Sequence, residues 1–339
     1  MNSSVSEIIS GLEKPSAYAH TTTSIQRIIT GVSVVFLTGS TAYKLNKPLN
    51  LGFLDFSTLE KRKDQCEKEC KYNSLISPEL YQGVVAITKD AQGKISIAGS
   101  GKVIDYAVKM KQLDPALIMT ELLTQNKVSS GHLQELAQKI FAFHQKALNS
   151  EEISSFGSVK NIQFNWDENF QQTEKYKEAI IPMKDFKFIQ EKINNFITKN
   201  QLVLEKRVSL GKIRHCHGDF HSANVFLTPQ GSYIFDGIVF NRRFPCSDII
   251  AEIAFMAMDL DFYGRKDLAH AFMQEYQKLS KDKDIPALLD FYKCYRAYIR
   301  AKINCFTSDD TNLTEKEKEK TINGAKKYFQ LAKNYAELL

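Results

Sequence analysis

The ten residues HCHGDFHSAN, from His215 to Asn224, carry the strongest functional signal in the chain. His217, Asp219 and Asn224 stand at the spacing H-x-D-x-x-x-x-N, and Asp236 follows after two short β-rich runs joined by the turn TPQG. A hairpin over these runs would bring Asn224 and Asp236 to the same end. Two aspartates and an asparagine in this order are the groups that phosphoryl transfer from a nucleotide requires.

Each member of this set has a predicted role. Asp219 accepts the proton of the attacking hydroxyl or aligns that hydroxyl, while Asn224 and Asp236 hold Mg²⁺ against the nucleotide phosphates. His217 supports the loop through hydrogen bonds, and His221 shapes it. The alternative is an ordinary polar turn whose Asp and Asn side chains satisfy backbone groups. The combined spacing favours the phosphotransfer loop.

A second feature lies near the N-terminus, in the segment TAYKLN of residues 41 to 46. Ala42 and Lys44 fall on one face of a predicted strand, as expected of a lysine that contacts nucleotide phosphates. The glutamate-rich helix that follows is predicted to hold Lys44 through Glu69, with Glu67 as the alternative. A solvated lysine beside a solvated acidic helix face is the other interpretation of these residues.

The first third of the chain is predicted to be mainly sheet. Residues 24 to 46 indicate a three-stranded antiparallel meander, and a helix capped by Ser57 or Thr58 ends before Pro78. Two β-rich runs joined by DAQG then indicate a hairpin, followed by a strand that reaches Met110. This pattern is that of a small antiparallel-sheet lobe with one long helix.

The rest of the chain is predicted to be helical apart from the hairpin of the catalytic segment. We therefore predict an α+β, two-lobed protein with a small N-terminal lobe at 1–112, a connection at Met110 to Leu113, and a larger helical C-terminal lobe at 113–339. Besides the segment SSGHLQELAQKIFAFHQKAL, helices are expected at 184–205, 247–260, 264–279, 285–304 and 314–337, the last with Thr314 and Glu317 as a capping box.

Composition fits a globular chain that stays in solution. The 339 residues are 43% hydrophobic, and 45 basic against 39 acidic side chains give a mild formal charge of +6. No run approaches the roughly 18 apolar residues of a membrane helix, and the N-terminus lacks a secretion signal. Six cysteines without a CxxC pair are typical of reduced thiols. We therefore expect a cytoplasmic protein with neither nucleic acid nor membrane as partner.

Two competing motifs are weaker. The tetrapeptide GSGK at 99–102 would need Ser96 as the first glycine of a P-loop and Val103 as its hydroxyl residue, so we interpret it as a turn between strands. A metal-dependent hydrolase is the second competitor, since histidines and Asp219 in HCHGDFHSAN offer ligands for zinc or iron. Phe220 separates Asp219 from His221, which such sites keep adjacent, and no second histidine cluster follows.

These motifs resemble the aminoglycoside-phosphotransferase-like branch of the protein-kinase-like fold, whose loop is typically H-G-D-x-H-x-x-N. The segments VFLTGSTAYKLNKP, FLDFSTLEKR, RHCHGDFHSANVFL and FDGIVFN are similar, in that order, to the phosphotransferase region of bacterial bifunctional proteins that also carry a P-loop ATP-binding domain. The resemblance runs from about residue 15 to 305. It implies a kinase-like fold that uses ATP (or GTP) and Mg²⁺.

The chain also departs from that pattern. It ends at residue 339 without a P-loop domain, so we expect functions that need one either to be absent or to be supplied in trans by a P-loop partner protein. Asp236-Gly237-Ile238 lacks the DFG order, and no GxGxxG covers the phosphates. In its place ITGVSVVF is expected to supply Thr30, Gly31 and Ser33 to the nucleotide, with Ala42 and Met110 as further contacts.

The short segment after Asp236 bears on the acceptor. Eleven residues separate Asp236 from Asp248, which leaves no room for a long segment that docks a peptide, so a small-molecule hydroxyl is favoured. Helix surface or capping explains Asp248, Glu252, Asp259 and Asp261 as well as a substrate role does. The prediction is a magnesium-dependent phosphotransferase that moves the γ-phosphate of ATP to an alcohol group. A nucleotide-binding regulatory module without turnover is the alternative, followed by the hydrolase.

Overall fold

A computed structural model describes residues 3–22, 24–52 and 54–339, with side chains from residue 5 onward. The chain forms two compact units, which are treated separately below. Unit 1 comprises Met1–Ile118 together with Asn224–Arg242, and unit 2 comprises Met119–Ala223 with Arg243–Leu339. The lobe boundary predicted at residue 112 stays a prediction, and unit 1 differs from the predicted N-terminal lobe by taking in the later segment.

The strands follow the sequence-based expectation. The meander, the hairpin and the strand that reaches Met110 are all present, and GSGK spans the end of the connection between the fifth and sixth strands, with Lys102 as the first residue of the sixth. The strands are β1 Gln26–Ile29, β2 Ser33–Leu37, β3 Thr41–Asn46, β4 Tyr81–Lys89, β5 Ile95–Ile97, β6 Lys102–Lys111, β7 Ile213–His215, β8 Val225–Thr228, β9 Gly231–Ile234 and β10 Cys246–Asp248.

Helices make up most of unit 2, as predicted. They are α1 Ser3–Leu12 and α2 Leu59–Asn73 in unit 1, followed in unit 2 by α3 Met119–Thr124, α4 Ser130–Lys146, α5 Glu151–Ser155, α6 Val159–Thr173, α7 Met183–Lys199, α8 Gln201–Ser209, α9 Ile249–Phe262, α10 Lys266–Ser280, α11 Ile285–Ser308 and α12 Glu315–Ala336. The described residues include no helix that is both long and apolar enough to cross a membrane.

Unit 1 is built on one antiparallel sheet with the strand order β1-β2-β3-β6-β4-β5. In the register of β3 and β6, Ala42 lies opposite Met110 and Lys44 lies opposite Val108. Helix α2 begins at the Thr58 cap, whose side chain accepts the Lys61 N–H, and packs along β6 and β4. Strand β3 and helix α2 thereby carry the two charged residues predicted to pair.

The buried face of α2 is unusually polar. Arg62, Gln65, Glu69 and Asn73 are all buried, at the spacing of one helix face, with Cys66 among them. The Arg62 Nε donates to Asp105 Oδ1 of β6 at 2.8 Å, so this charge is satisfied inside the unit. Buried polar groups need such partners, because an unpaired one would destabilise the fold.

Unit 2 contains α9 as its most buried helix. Every residue from Ile249 to Leu260 is buried, and Glu252 and Asp259 are the only charged residues among them. The predicted cap box of α12 is confirmed, since Thr314 and Glu317 exchange side-chain to backbone bonds. The prediction of a single helix over 184–205 is wrong. Asn200 interrupts the helical conformation and separates α7 from α8.

Candidate functional site

Lys44 forms the centre of an ion cluster in unit 1. Its Nζ lies 2.9 Å from Glu69 Oε1 and donates a second bond to the Asp236 carboxylate. Only 12% of the Lys44 side chain is exposed, whereas 49% of the Asp236 side chain is. Glu67 instead pairs with Lys63 on the outside of α2. Of the two predicted glutamates, the structure thus joins Glu69 to Lys44; the nucleotide-binding role of both residues stays a prediction.

The cluster keeps Lys44 charged. Burial acts to lower the pKa of Lys44, but the carboxylates of Asp236 and Glu69 outweigh it and raise that pKa above its ordinary value. Burial raises the pKa of Glu69, an effect that Lys44 partly offsets. A permanent cation that faces an exposed carboxylate is suited to binding a phosphate together with a divalent metal ion.

The β8–β9 hairpin brings Asn224 and Asp236 to one end, as predicted. Val225 pairs with Ile234, and the Phe235 N–H donates to the Asn224 carbonyl at 3.0 Å. An amide oxygen and a carboxylate are hard oxygen donors of the kind that Mg²⁺ prefers. The donor chemistry of this end of the hairpin therefore fits the predicted metal site, whose occupancy by Mg²⁺ stays a prediction.

The predicted phosphate-covering residues lie in the turn between β1 and β2. The Ser33 N–H donates to Thr30 Oγ1 at 3.0 Å, and the two hydroxyls are 2.8 Å apart. A Cβ placed on Gly31 would meet no atom within 4 Å, so the space around this glycine is open. Ala42 and Met110, by contrast, are buried side chains on β3 and β6. A nucleotide contact by any of the five stays a prediction.

Asp219 lies in unit 2 between two histidines that support its loop. The Asp219 N–H donates to His217 Nδ1 and the Ala223 N–H donates to His221 Nδ1, both at 3.3 Å. Because each Nδ1 accepts, a neutral ring carries its proton on Nε2. His221 Nε2 lies 3.4 Å from Asp219 Oδ2, so it directs that proton at the carboxylate. The geometry agrees with the predicted loop-supporting roles.

Arg300 and the two neighbouring histidines keep Asp219 ionised. Burial acts to raise the pKa of Asp219, but His221, Arg300 and His217 together hold that pKa well below its usual range. Arg300 comes from α11 and also interacts with Asp259 and Tyr328. A carboxylate that is ionised at neutral pH can orient a hydroxyl and receive its proton.

Glu252 anchors the backbone of the same loop from inside α9. It accepts the N–H of His217 at 3.1 Å and that of Gly218 at 2.7 Å. His144 Nε2 lies 3.0 Å from Glu252, and the other ring nitrogen lies 2.7 Å from the Tyr276 hydroxyl. Burial acts to raise the pKa of Glu252, but the contact with His144 outweighs it and lowers that pKa to about 2.

A second acid of α9 holds the end of the loop. Asp259 Oδ2 accepts the Ser222 N–H at 2.8 Å. From the sequence, helix surface or capping explained Glu252 and Asp259 as well as a substrate role did; in the structure both side chains are buried. Two acids in the otherwise apolar run IIAEIAFMAMDL were the available signal, because buried charge requires a partner. Only Asp248 acts as a cap, since its side chain accepts the Ile250 N–H.

The hydrolase alternative gains no support from side-chain geometry. Within the described part of the chain, only one group of three His, Cys, Asp or Glu residues has ligand atoms that all lie within 4.8 Å of one another. It consists of His144, Cys216 and Glu252. His215, His217, Asp219 and His221 do not form a converging group. The contacts of Glu252 with His144 and with the loop backbone explain the first group as structural.

Comparison with known proteins gives relatives at low identity. No protein-family model matches the chain. It is 29% identical over 276 residues to uncharacterized proteins of Mycobacterium tuberculosis and Mycobacterium bovis. The match covers 81% of this chain but 54% of each relative, so the chain spans about half the length of the curated relatives it matches.

Solved structures resemble the whole chain. Choline kinase from Cryptosporidium parvum has a TM-score of 0.57 at 11% identity, over 93% of this chain and 89% of that one. A choline/ethanolamine kinase family protein from Mesorhizobium loti has a TM-score of 0.53 at 10% identity, over 95% of both chains. A candidate aminoglycoside phosphotransferase from Ralstonia eutropha has 0.50 at 9% identity, over 98% of both.

These similarities identify the class of fold. The chain has the protein-kinase-like fold in the form shared by choline kinases and aminoglycoside-phosphotransferase-like proteins, with an antiparallel sheet near the N-terminus and a helical C-terminal part. The predicted α+β fold class is thus confirmed, and so is the predicted resemblance of the chain's fold to that of aminoglycoside-phosphotransferase-like proteins. The likeness to bifunctional proteins with a P-loop domain stays a prediction.

Proposed function

We propose that this protein is a magnesium-dependent phosphotransferase that moves the γ-phosphate of ATP (or GTP) to a hydroxyl of a small molecule. The observation that carries the proposal is the Lys44 cluster, in which one buried lysine joins Glu69 of α2 to Asp236 behind the β8–β9 hairpin. Three residues far apart in sequence thereby meet in the arrangement that nucleotide phosphotransfer uses.

The chain's own residues divide the work of the proposed reaction. Asp219, kept ionised by its cationic neighbours, aligns the acceptor hydroxyl and takes up its proton. Lys44 binds the nucleotide phosphates as a fixed positive charge. Asn224 and Asp236 would hold Mg²⁺, which neutralises phosphate charge when bound. His217 and His221 keep the Asp219 loop in one conformation through their backbone bonds.

A small alcohol is the favoured class of acceptor. The segment from Asp236 to Asp248 has eleven intervening residues and contains no helix, which leaves little chain to dock a peptide. Two of the proteins with the same fold are named for choline or ethanolamine, which are small alcohols. A cytoplasmic location, where ATP is available as the donor, is part of the proposal. A P-loop partner protein that acts in trans is a further part of it.

The test is a screen of a metabolite library for phosphate transfer from labelled ATP by the purified chain. We expect one class of hydroxyl compound to be labelled in the presence of Mg²⁺. The Asp219→Asn variant should lose turnover while its ATP binding, measured by thermal shift, survives. Unchanged turnover in that variant would overturn the role of Asp219.

Two further outcomes identify the alternatives. Binding of ATP with Mg²⁺ but no transfer to any compound would favour a regulatory nucleotide-binding module. Stoichiometric zinc or iron in the purified protein, measured by elemental analysis, would favour the hydrolase.

A further inference from the structure

The backbone at Asp236 has an uncommon conformation. Its φ is +63°, in the left-handed region that disfavours residues with a Cβ. Aspartate tolerates this region better than most residues, but it still needs surrounding contacts to stay there. The contacts that hold Asp236 therefore also determine where its carboxylate points.

Three buried side chains of unit 1 accept the backbone N–H groups around Asp236. Ser77 Oγ accepts from Ile234 at 3.0 Å, the Tyr81 hydroxyl accepts from Asp236 at 3.1 Å, and Asn73 Oδ1 accepts from Gly237 at 2.7 Å. We call Asn73, Ser77 and Tyr81 the backbone clamp. Their exposed fractions are 2%, 0% and 8%, so water does not compete for these bonds.

The clamp leaves no free amide in this stretch. Between the Ser77 and Tyr81 bonds, the Phe235 N–H donates to the Asn224 carbonyl, so four consecutive amides from Ile234 to Gly237 are bonded. Four fixed peptide groups leave Asp236 little conformational freedom. The exposed carboxylate at a rigid backbone is then directed at Lys44.

The clamp is coupled to the ion cluster through α2. Asn73 lies one turn after Glu69 on the same buried face, and its Nδ2 donates to the Glu69 carbonyl at 3.1 Å. Both polar atoms of the Asn73 side-chain amide are thus hydrogen-bonded, Nδ2 to the backbone of α2 and Oδ1 to the Gly237 N–H. A shift of α2 would disturb the Lys44 partner and the Asp236 backbone together.

We propose that Asn73 and Tyr81 are positioning residues that hold Asp236 in its metal-binding orientation and so determine how strongly Mg²⁺ enhances nucleotide binding. This inference rests on the proposed function, which assigns Mg²⁺ and the nucleotide to this site. Neither residue contacts the phosphates in this proposal. They act through the backbone N–H groups of Asp236 and Gly237.

The test compares two variants with a matched control. Tyr81→Phe and Asn73→Ala each remove one acceptor from the clamp. Tyr18→Phe removes a buried tyrosine hydroxyl from the same unit, one that donates to the Leu12 carbonyl at 2.6 Å, away from Asp236 in the sequence and outside the clamp. The measurement is the affinity for a fluorescent ATP analogue, taken once in EDTA and once with saturating Mg²⁺.

We expect the enhancement of affinity by Mg²⁺ to fall about tenfold or more in both clamp variants, since residues that orient metal ligands have effects of this size. Affinity in EDTA should stay within about twofold of wild type, because Lys44 is intact. Tyr18→Phe should behave as wild type. If both clamp variants keep the wild-type enhancement by Mg²⁺, or if Tyr18→Phe loses as much enhancement as they do, the proposed role of the clamp is overturned. Neither result would bear on the proposed function.

Failure of the proposed function has a different signature. If the wild-type chain binds no nucleotide, or binds it without any effect of Mg²⁺, the assignment of the site itself fails. Amide hydrogen exchange in the wild-type chain provides a measurement that needs neither ligand nor a folded variant. The amides of Asp236 and Gly237 should exchange slowly despite the exposed Asp236 side chain, and exchange at the rate of an unprotected loop would overturn the clamp.

Discussion

Glu252 accepts the backbone N–H of Gly218 at 2.7 Å from within a buried helix segment, Ile249 to Leu260, whose only other charged residue is Asp259. The acid therefore fixes the backbone of the residue that immediately precedes Asp219. We expect Glu252→Ala to destabilise the chain by about 3 kcal/mol, because it removes the acceptor of the buried N–H groups of His217 and Gly218 and the partner of His144 Nε2. Urea unfolding at neutral pH measures this, and Glu252→Gln, which keeps one acceptor, should lose less.

The charge of Glu252 also makes stability depend on pH. Its pKa falls from an ordinary 4.5 to about 2 in the folded chain, so the unfolded state binds the proton more readily. The stabilisation, ~3 kcal/mol for a shift of this size, is present above pH ~4.5 and is lost as the pH falls toward 2. The difference in unfolding free energy between wild type and Glu252→Gln should therefore narrow over that range. A constant difference would contradict the assignment.

Arg207 should be a strong determinant of stability in unit 2. Its side chain is fully buried, with Nη2 donating to Asp248 Oδ1 at 2.8 Å and Nη1 donating to Asp282 at 3.0 Å. Arg207→Met leaves Asp248 buried without its cation and leaves Asp282 with Lys212 as its cationic partner, and loss of such a buried pair costs about 3–5 kcal/mol. Thermal or urea unfolding checks this. Lys68→Met, at an exposed pair with Asp64, is the matched control and should change stability little. Equal effects of the two changes would contradict the prediction.

Local patterns in the sequence predicted the strands of unit 1 well. The breaks at Gly31 and Gly39 between the β-rich runs, the Thr58 cap and the hairpin turn are short-range signals, and the structure has each of them at the predicted place. The sequence left both Glu69 and Glu67 open as partners of Lys44. The structure distinguishes them, because the face of α2 that includes Cys66 and Glu69 turns inward while Glu67 turns outward.

Other features depend on tertiary contacts that no local pattern records. Helix α6 escaped prediction, although Trp166 and Phe170 stack within a cluster of aromatic rings supplied by α11. Asn73 and Tyr81 were not predicted as site residues, since an asparagine at a helix end and a tyrosine at a strand start are common residues. Their role is visible only when the 234–237 backbone is brought against them.

Lys44→Met should abolish the proposed reaction while the fold persists. Without the cation, the nucleotide phosphates and the Asp236 carboxylate lose their shared partner, and transfer should fall on the order of 100-fold or more. Lys63→Met is the matched control, because Lys63 pairs with Glu67 on the exposed side of α2 and should be neutral. Transfer from labelled ATP to the acceptor found by the screen measures both. A larger loss in the Lys63 variant would reverse the assignment of the two glutamates.

Arg300 should set the acid limit of activity through Asp219. In wild type, Arg300 and the two histidines outweigh burial and hold the pKa of Asp219 well below its usual range. Arg300→Met removes one of these charges, and the pKa of Asp219 should rise by about one unit or more. Because the proton acceptor is then neutralised at a higher pH, the acid limb of the kcat profile should move upward by the same amount.

The control for Arg300 lies on the same helix. Lys293 lies two turns earlier in α11 and pairs with Asp261, so Lys293→Met should leave the acid limb in place. A purely structural effect of Arg300→Met would lower kcat equally at all pH values, without moving the limb. An unmoved limb, with the variant folded, would show that Arg300 does not control the ionisation of Asp219.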